Sequence, residues 1–332
     1  METLQILQIT WFFLVGILFT GYSILDGFDL GIGAMLPFMA KDKKDITALF
    51  TAIGPVWDGN EVWLLTGGGA LFAAFPHVYA TVFSGFYLAL MIVLFALIFR
   101  AVSLEFWSLD ETRRTFWKWA FSIGSFLPAL LFGVALGNVI LGIPLDDRME
   151  FTGNFVTLLR PYPLAIGLLG FSAILLQGCT YGALKTTGEL HDRLVAAGKK
   201  IAIAYGILMV ISGVLTGIFI PGSMANIPGW VCAGIVLASI FMTAIQLGKG
   251  NGLPAFLLSS LSFMGLWGIA GSLQFPALVR SIGSGDLNLS IYNSSSSQLT
   301  LTVMLIIALI GMPIVIGYTI YAYRIFKGKV TL

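Results

Sequence analysis

The sequence predicts an all-α polytopic membrane protein of nine transmembrane helices, and three observations carry that prediction. Of 332 residues only 18 are Lys or Arg and 16 are Asp or Glu, about 10% charged where a soluble globular domain carries about 25%. Hydrophobic residues make up 58% of the chain and the mean hydropathy is +0.94, more apolar surface than a water-soluble core of this length hides. The basic residues, finally, segregate to one side of the apolar runs. A water-soluble enzyme is excluded. So is a nucleic-acid binder, because a net charge of +2 provides no basic stripe.

A membrane helix needs about 20 mainly apolar residues, and nine runs qualify. Span 1 (8–37) follows METLQILQ, which carries Glu2 and no basic residue; lacking the positive region of a secretory signal, it reads as a retained span. An inner segment with Lys41, Lys43 and Lys44 leads to span 2 (48–75), which like span 1 is long and carries acids. A tight outer turn at Pro76 and His77 leads into span 3 (78–100), closed by Arg100. The inner segment 101–116 holds Arg113 and Arg114, and Lys118 follows at the start of span 4 (117–143). An outer segment, 144–160, precedes span 5 (162–185), which ends on Lys185. The inner segment 186–200 holds Arg193, Lys199 and Lys200 before span 6 (201–220). Span 7 (229–247) ends before Lys249, and span 8 (254–275) precedes the polar outer loop 276–298. Span 9 (299–325) closes on Arg324, Lys327 and Lys329.

With the N-terminus outside and the C-terminus cytoplasmic, only Arg148, Arg160 and Arg280 of the 18 basic residues face out. A miscounted span would invert the later loops and spoil this split, so the charge bias also supports the number nine. The whole chain, 1–332, reads as a single transmembrane domain, with spans 1–4 and 5–8 as two four-helix bundles and span 9 as an extra helix. Small-xxx-small pairs at Gly27/Gly31, Gly133/Gly137 and Gly213/Gly217 are expected to pack helices closely. Cys179 and Cys232 lie inside apolar runs and read as small core residues.

Ionisable groups inside a span are costly and face a protein interior or water. Asp26 and Asp29 fall in YSILDGFDLGIG of span 1, and Asp58 and Glu61 in GPVWDGNEVWLLTGGG of span 2. In each pair the i, i+3 spacing places both on one helix face. At about 1.5 Å per residue, Asp58 and Asp29 sit ~15 Å into the membrane, with Arg100 and Glu105 near the inner surface. The expectation is a line of carboxyls running inward from the cytoplasm. Two readings stay open for it: a proton route, or a polar cluster that fixes helix register. Trp57 and Trp63 read as packing residues. The two histidines, His77 and His191, fall on opposite sides of the membrane and cannot clasp one haem; no metal site and no nucleotide fingerprint appears. The chain reads as non-catalytic on its own.

The motifs have a further implication. LDGFDLGIG at 25–33, GPVWDGNEVWLLTGGGALFAAFP at 54–76, FSGFYLALMIVLFALIFR at 83–100, GSFLPALLFGVALGNVILGIP at 124–144, FTGNF at 151–155, TYGALKTTGEL at 180–190 and SSSQLTLTVM at 295–304 together resemble subunit II of cytochrome bd-type quinol oxidases. The likeness runs from span 1 to span 9. It implies nine helices, and a haem-bearing subunit I as partner, carrying two b-type haems and haem d. It implies a bacterial or archaeal cell membrane, quinol and dioxygen as substrates of the complex, and cytoplasmic proton uptake. By that resemblance Asp58, Arg100 and Glu105 belong to the proton route, with Asp26, Asp29 and Glu61 as further candidates. No haem is expected on this chain; a structural quinone or lipid and a small single-span subunit are possible additions. Three alternatives remain: a cyanide-insensitive quinol oxidase of similar subunits, a proton-coupled secondary transporter using the same acids, and a purely structural assembly subunit.

Overall fold

Backbone groups in a bilayer find no water, so a spanning chain pairs them within its own helices. The computed structural model of the protein describes residues 2–283 and 285–330. Among these, eleven α-helices follow one another: α1 (Glu2–Met39), α2 (Lys43–Ile53), α3 (Trp57–Ala74), α4 (Pro76–Gly85), α5 (Tyr87–Leu109), α6 (Arg114–Leu141), α7 (Pro161–Lys185), α8 (Gly188–Phe219), α9 (Ile227–Gly248), α10 (Gly252–Gln274) and α11 (Gln298–Ile325). Eight of them, α1 and α5–α11, are long and apolar enough to cross a membrane.

The expected second span is not one helix. Residues 48–75 divide between α2 and α3, and α3 is not among the eight apolar helices. The sequence around Gly54-Pro55 explains the break. Pro55 has no N–H to continue the ladder, so α2 closes with the Gly54 N–H on the Phe50 carbonyl, and the Val56 N–H turns back to Ile53. A second break follows at Phe75, non-helical before Pro76 (φ −133°, ψ 66°). The third expected span, 78–100, is likewise interrupted at Phe86, and its lower helix continues to Leu109. The sixth, expected from 201, begins as α8 at Gly188, because the polar residues of 188–200 continue the same helix.

Two sets of junctions gather at opposite ends of the bundle. At the C-terminal end of α1, Arg193 donates to the Met39 carbonyl and pairs with Asp45, Lys43 lies 4.0 Å from Glu111, and Lys185 donates to the Phe326 carbonyl. The clustered lysines and arginines of the expected inner segments are here. At this end Asp110 caps the turn before α6, and hydrogen bonds from Thr112 and then Trp117 hold its carboxyl below the usual carboxylate range. At the other end Gln8 meets Ser295, the Ser296 N–H reaches the Ala74 carbonyl, and Ile143 pairs with Arg280. The polar loop 276–298 is not featureless: Ala277–Val279 (β1) and Leu289–Ser290 (β2) form a short antiparallel ribbon, so the fold is helical with a small strand cap. Leu7, Trp11, Phe75, Phe86, Ile143 and Val279 form an apolar cluster beneath it.

α7 is the most buried of the long helices, packed on α1, α6, α8 and α10. The small residues do the work expected of them at two of the three pairs. A Cβ on Gly31 would lie 2.2 Å from the Ile174 carbonyl oxygen, and one on Gly133 would lie 2.8 Å from Gly167. Gly213 faces open space and makes no helix contact of this kind. Helices α7, α8, α9 and α10 close on one another as a complete four-helix unit. The other group is more open: α3 packs on α1, α4 and α11, α5 packs on α6 and α4, and α3 and α5 face each other across a gap, where Arg100 and Glu61 approach to 3.9 Å. That gap belongs to a mainly apolar cavity of about 1830 Å³ bounded by α1, α3, α5, α6 and α10. Cys179 is buried, Cys232 half-buried, and both are free thiols; the Cys179 thiol is in contact with Met35 at 3.4 Å.

Candidate functional site

Six charged residues were singled out above, and the structure gathers five of them. α1 carries Asp26 and Asp29 into the interior, both fully buried. Their i, i+3 spacing puts them on one broad face, but they engage different helices. Asp26 takes a two-pronged ion pair from Arg100 of α5, at 2.9 Å through Nη1 and 2.5 Å through Nη2. This fork-to-carboxylate geometry is the strong form of the interaction. Arg100 reaches it because α5 lies close on α6: a Cβ on Gly124 would stand 2.6 Å from the Ala96 carbonyl and 2.9 Å from the Arg100 nitrogen.

Asp29 turns instead to α3, where the Asn60 amide donates to its Oδ2 at 2.8 Å. The hydroxyl of Tyr323, near the end of α11, donates to Asn60 Oδ1 at 3.0 Å. Asp29 Oδ1 is buried and receives no hydrogen bond. Glu61, one turn from Asp58, lies 3.9 Å from Arg100 with its side chain 22% exposed. Asp58 is on the exposed face of α3. Asp58 and Glu61 both line the cavity, whose other walls are mainly apolar. Two carboxyls, Asp26 and Glu61, thus meet one guanidinium with Asp29 buried close by, and a low-dielectric site cannot hold three carboxylate charges against one cation without a proton or another cation.

Two expectations need correction. Arg100 does not lie below the acids at the membrane boundary; it is level with Asp26 and Glu61, because it extends inward to pair with them. Asp58 is not buried within its span: the break at 54–56 places it in the first turn of α3, facing outward. Glu105 stands apart from the cluster, exposed and without an ion pair among the described residues. Trp57 packs against the core, and the Trp63 ring fills the space beside Gly21. Asn60 and Tyr323 lie outside the six charged candidates; the one local hint is an amide in the first turn of a helix between two acids.

The two histidines lie at opposite ends of the bundle and do not meet. His77 begins α4 at the ribbon-capped end, and His191 sits at the basic end with Nδ1 on the Ala183 carbonyl. Among the described residues no group of three or more His, Cys, Asp or Glu converges as a metal site.

A family model described as cytochrome bd terminal oxidase subunit II matches residues 7–326. The chain belongs to that family. Cytochrome bd-I ubiquinol oxidase subunit 2 of Escherichia coli K12 is 35% identical, the match covering 98% of this chain and 96% of the relative. Cytochrome bd ubiquinol oxidase subunit 2 of Bacillus subtilis 168 is 32% identical over 97% and 96%. In fold the chain is similar to a chain of the bd oxidase of Geobacillus thermodenitrificans, with a TM-score of 0.81 and 16% identity over 96% of this chain and 98% of that one.

Proposed function

We propose that the chain is the non-haem subunit II of a bd-type terminal oxidase, which reduces dioxygen to water with quinol. In this role it stabilises a haem-bearing subunit I, expected to hold two b-type haems and haem d, and supplies part of a cytoplasmic proton-uptake path. The observation that carries the reading is Asp58 exposed in the first turn of α3, one turn from Glu61, which lies 3.9 Å from the Arg100 that pairs with buried Asp26. Lipid does not tolerate a carboxylate at that position, whereas a partner subunit seated on it would cover Asp58 and receive its proton. Glu105, exposed toward the basic end, would collect protons; Glu61, Asp26 and Asp29 would set the field around Asp58.

The remaining parts of the reading rest on the same features. Nine crossings, with α2 and α3 together supplying the second, bring all the basic junctions to one end, and the positive-inside bias makes that end cytoplasmic. The location is then the bacterial or archaeal cell membrane. The lateral cavity between α3 and α5 has the volume and apolar walls for the tail of a structural quinone or lipid. A small single-span subunit would find a seat on the exposed flank of α11.

The test is Asp58→Asn in the assembled complex, with oxygen consumption and proton uptake measured per haem. Positioned proton-transfer groups contribute about 10²–10⁴-fold, so turnover falls by on the order of tenfold or more. Wild-type turnover and uptake in a fully assembled Asp58→Asn complex would falsify the route. An optical spectrum of the complex separates the branches: b- and d-type bands for a bd oxidase, b-type alone for the cyanide-insensitive relative.

A further inference from the structure

α11 is a long apolar helix with Leu301 its one buried residue among those described. It is held by its ends. At the ribbon-capped end the Trp11 indole donates to the Leu301 carbonyl at 3.0 Å, and the Ser296 hydroxyl donates to the Ala73 carbonyl at 2.6 Å. At the basic end Lys185 Nζ donates to the Phe326 carbonyl at 2.6 Å, and the Val330 N–H donates to the Lys185 carbonyl at 2.8 Å. Between these basic-end ties and the membrane, Tyr323 leans in to the Asn60 amide. The basic-end fastening thus delivers one hydroxyl to one buried amide.

That hydroxyl decides how the amide faces. An Asn side chain offers an acceptor oxygen and a donor nitrogen that are interchangeable in shape, so its partners choose the orientation. The Tyr323 hydroxyl donates to the oxygen, which turns the nitrogen toward Asp29 Oδ2. Asp29 Oδ1 is then the oxygen left without a donor, in a fully buried position. We propose that Tyr323, acting through Asn60, is a positioning residue for Asp29: it fixes Oδ1 as the oxygen that takes and releases a proton. Removing the hydroxyl frees the amide to flip. A flipped amide presents its oxygen to Asp29, repels the carboxylate and accepts a hydrogen bond from the protonated acid. Asp29 then keeps its proton longer.

The other titratable and charged groups facing Asp29 are Asp26 on α1, Glu61 on α3, Arg100 on α5, Tyr181 on α7 and Tyr323 itself. Replacing Tyr323 with Phe keeps the ring in place and leaves the other four groups unaltered. The proposal rests on the reading of this cluster as proton-handling, and the experiment separates the two. In the assembled complex, difference infrared spectra in H₂O and D₂O report protonated buried carboxyls; the band lost in Asp29→Asn belongs to Asp29. In Tyr323→Phe that band shifts in frequency. The pH profile of turnover moves to higher pH by about 0.5–1 unit, the equivalent of one ordinary hydrogen bond. If Tyr323→Phe fails to assemble, Asn60→Ser, which keeps a hydroxyl near Asp29 but is too short for Tyr323, is read in the same way. An unchanged Asp29 band together with an unchanged profile overturns the proposal. Failure of the Asp58 route leaves the band assignment and its shift intact, so the two ideas fall separately.

Discussion

Two polar clusters lie inside this apolar molecule, and they are built on opposite plans. Between α7 and α10 the groups are neutral and their partners complete. Gln177 donates to Ser260 at 2.8 Å and to the Ile24 carbonyl at 3.2 Å, and accepts from Ser259, which also meets Thr180 at 2.9 Å. Between α1, α3 and α5 the groups are charged and incompletely matched. One guanidinium is shared by Asp26 and Glu61, Asp29 keeps an oxygen without a donor, and Glu61 and Asp58 open onto a cavity. A satisfied neutral network holds helices in register and has no reason to change state. A cluster short of one charge or proton has such a reason, so the proposed proton handling belongs there and not at Gln177.

The largest effect should come from breaking the charged cluster outright. Arg100→Leu leaves Asp26 buried without its partner, a change that costs about 3–5 kcal/mol; the complex should fail to accumulate, as judged by haem recovered per membrane. Asp26→Asn combined with Arg100→Leu should restore part of the yield but not the turnover, because removing both charges relieves burial without rebuilding the site.

Next come the contacts that both clusters depend on. Gly178 packs against the Gly31 backbone, with a new Cβ falling 2.5 Å from the Gly31 carbonyl carbon. Gly178→Ala should force α1 and α7 apart at a cost of about 1–3 kcal/mol. It should lower the melting temperature of the complex, and turnover per haem along with it if α1 shifts its acids. Gln177→Leu tests the comparison from the neutral side. Membrane hydrogen bonds are worth about 0.6 kcal/mol on average and up to about 1.7, so a modest loss of thermal stability is expected, with turnover per haem and its pH profile unchanged. A displaced pH profile in Gln177→Leu would erase the distinction between the two clusters.

The smallest effect belongs outside both. Hydrogen bonds from Thr112 and Trp117 depress the Asp110 carboxyl, so its stabilising contribution is present above the unfolded carboxylate range and is lost as pH falls through the depressed value. Asp110→Ala should lower the melting temperature slightly at neutral pH, and the difference from wild type should shrink in strong acid.

Much of this was legible from residues alone, for reasons that also explain the gaps. Helix ends such as 298–325 and 227–248 fall within a few residues of their expected bounds because apolar length and flanking Lys or Arg are local signals. Asp26 and Asp29 stood out because a charge in an apolar run has no bland surroundings to hide in. The break at Gly54-Pro55 was harder to see, since Pro37, Pro128 and Pro313 sit inside unbroken helices of the same chain. Which acid would take Arg100 depended on the packing of helices 74 residues apart in sequence. Asn60, Tyr323 and Gln177 carry no charge, and their partners lie on other helices, so neither hydropathy nor spacing marked them.

The break that frees α3 at both ends also bears on how the protein is made. α3 has 18 residues and carries Asp58 and Glu61 near its start, and ionisable residues oppose the insertion of an apolar segment. The chain leaves the ribosome in order, so α1 is already present when α3 emerges, but Arg100 follows only after Glu61 and the whole of α4. The pairs of Arg100 with Asp26 and Glu61 therefore form only after α5 has been made, so the acids of α1 and α3 gain their shared cation last among the first five helices.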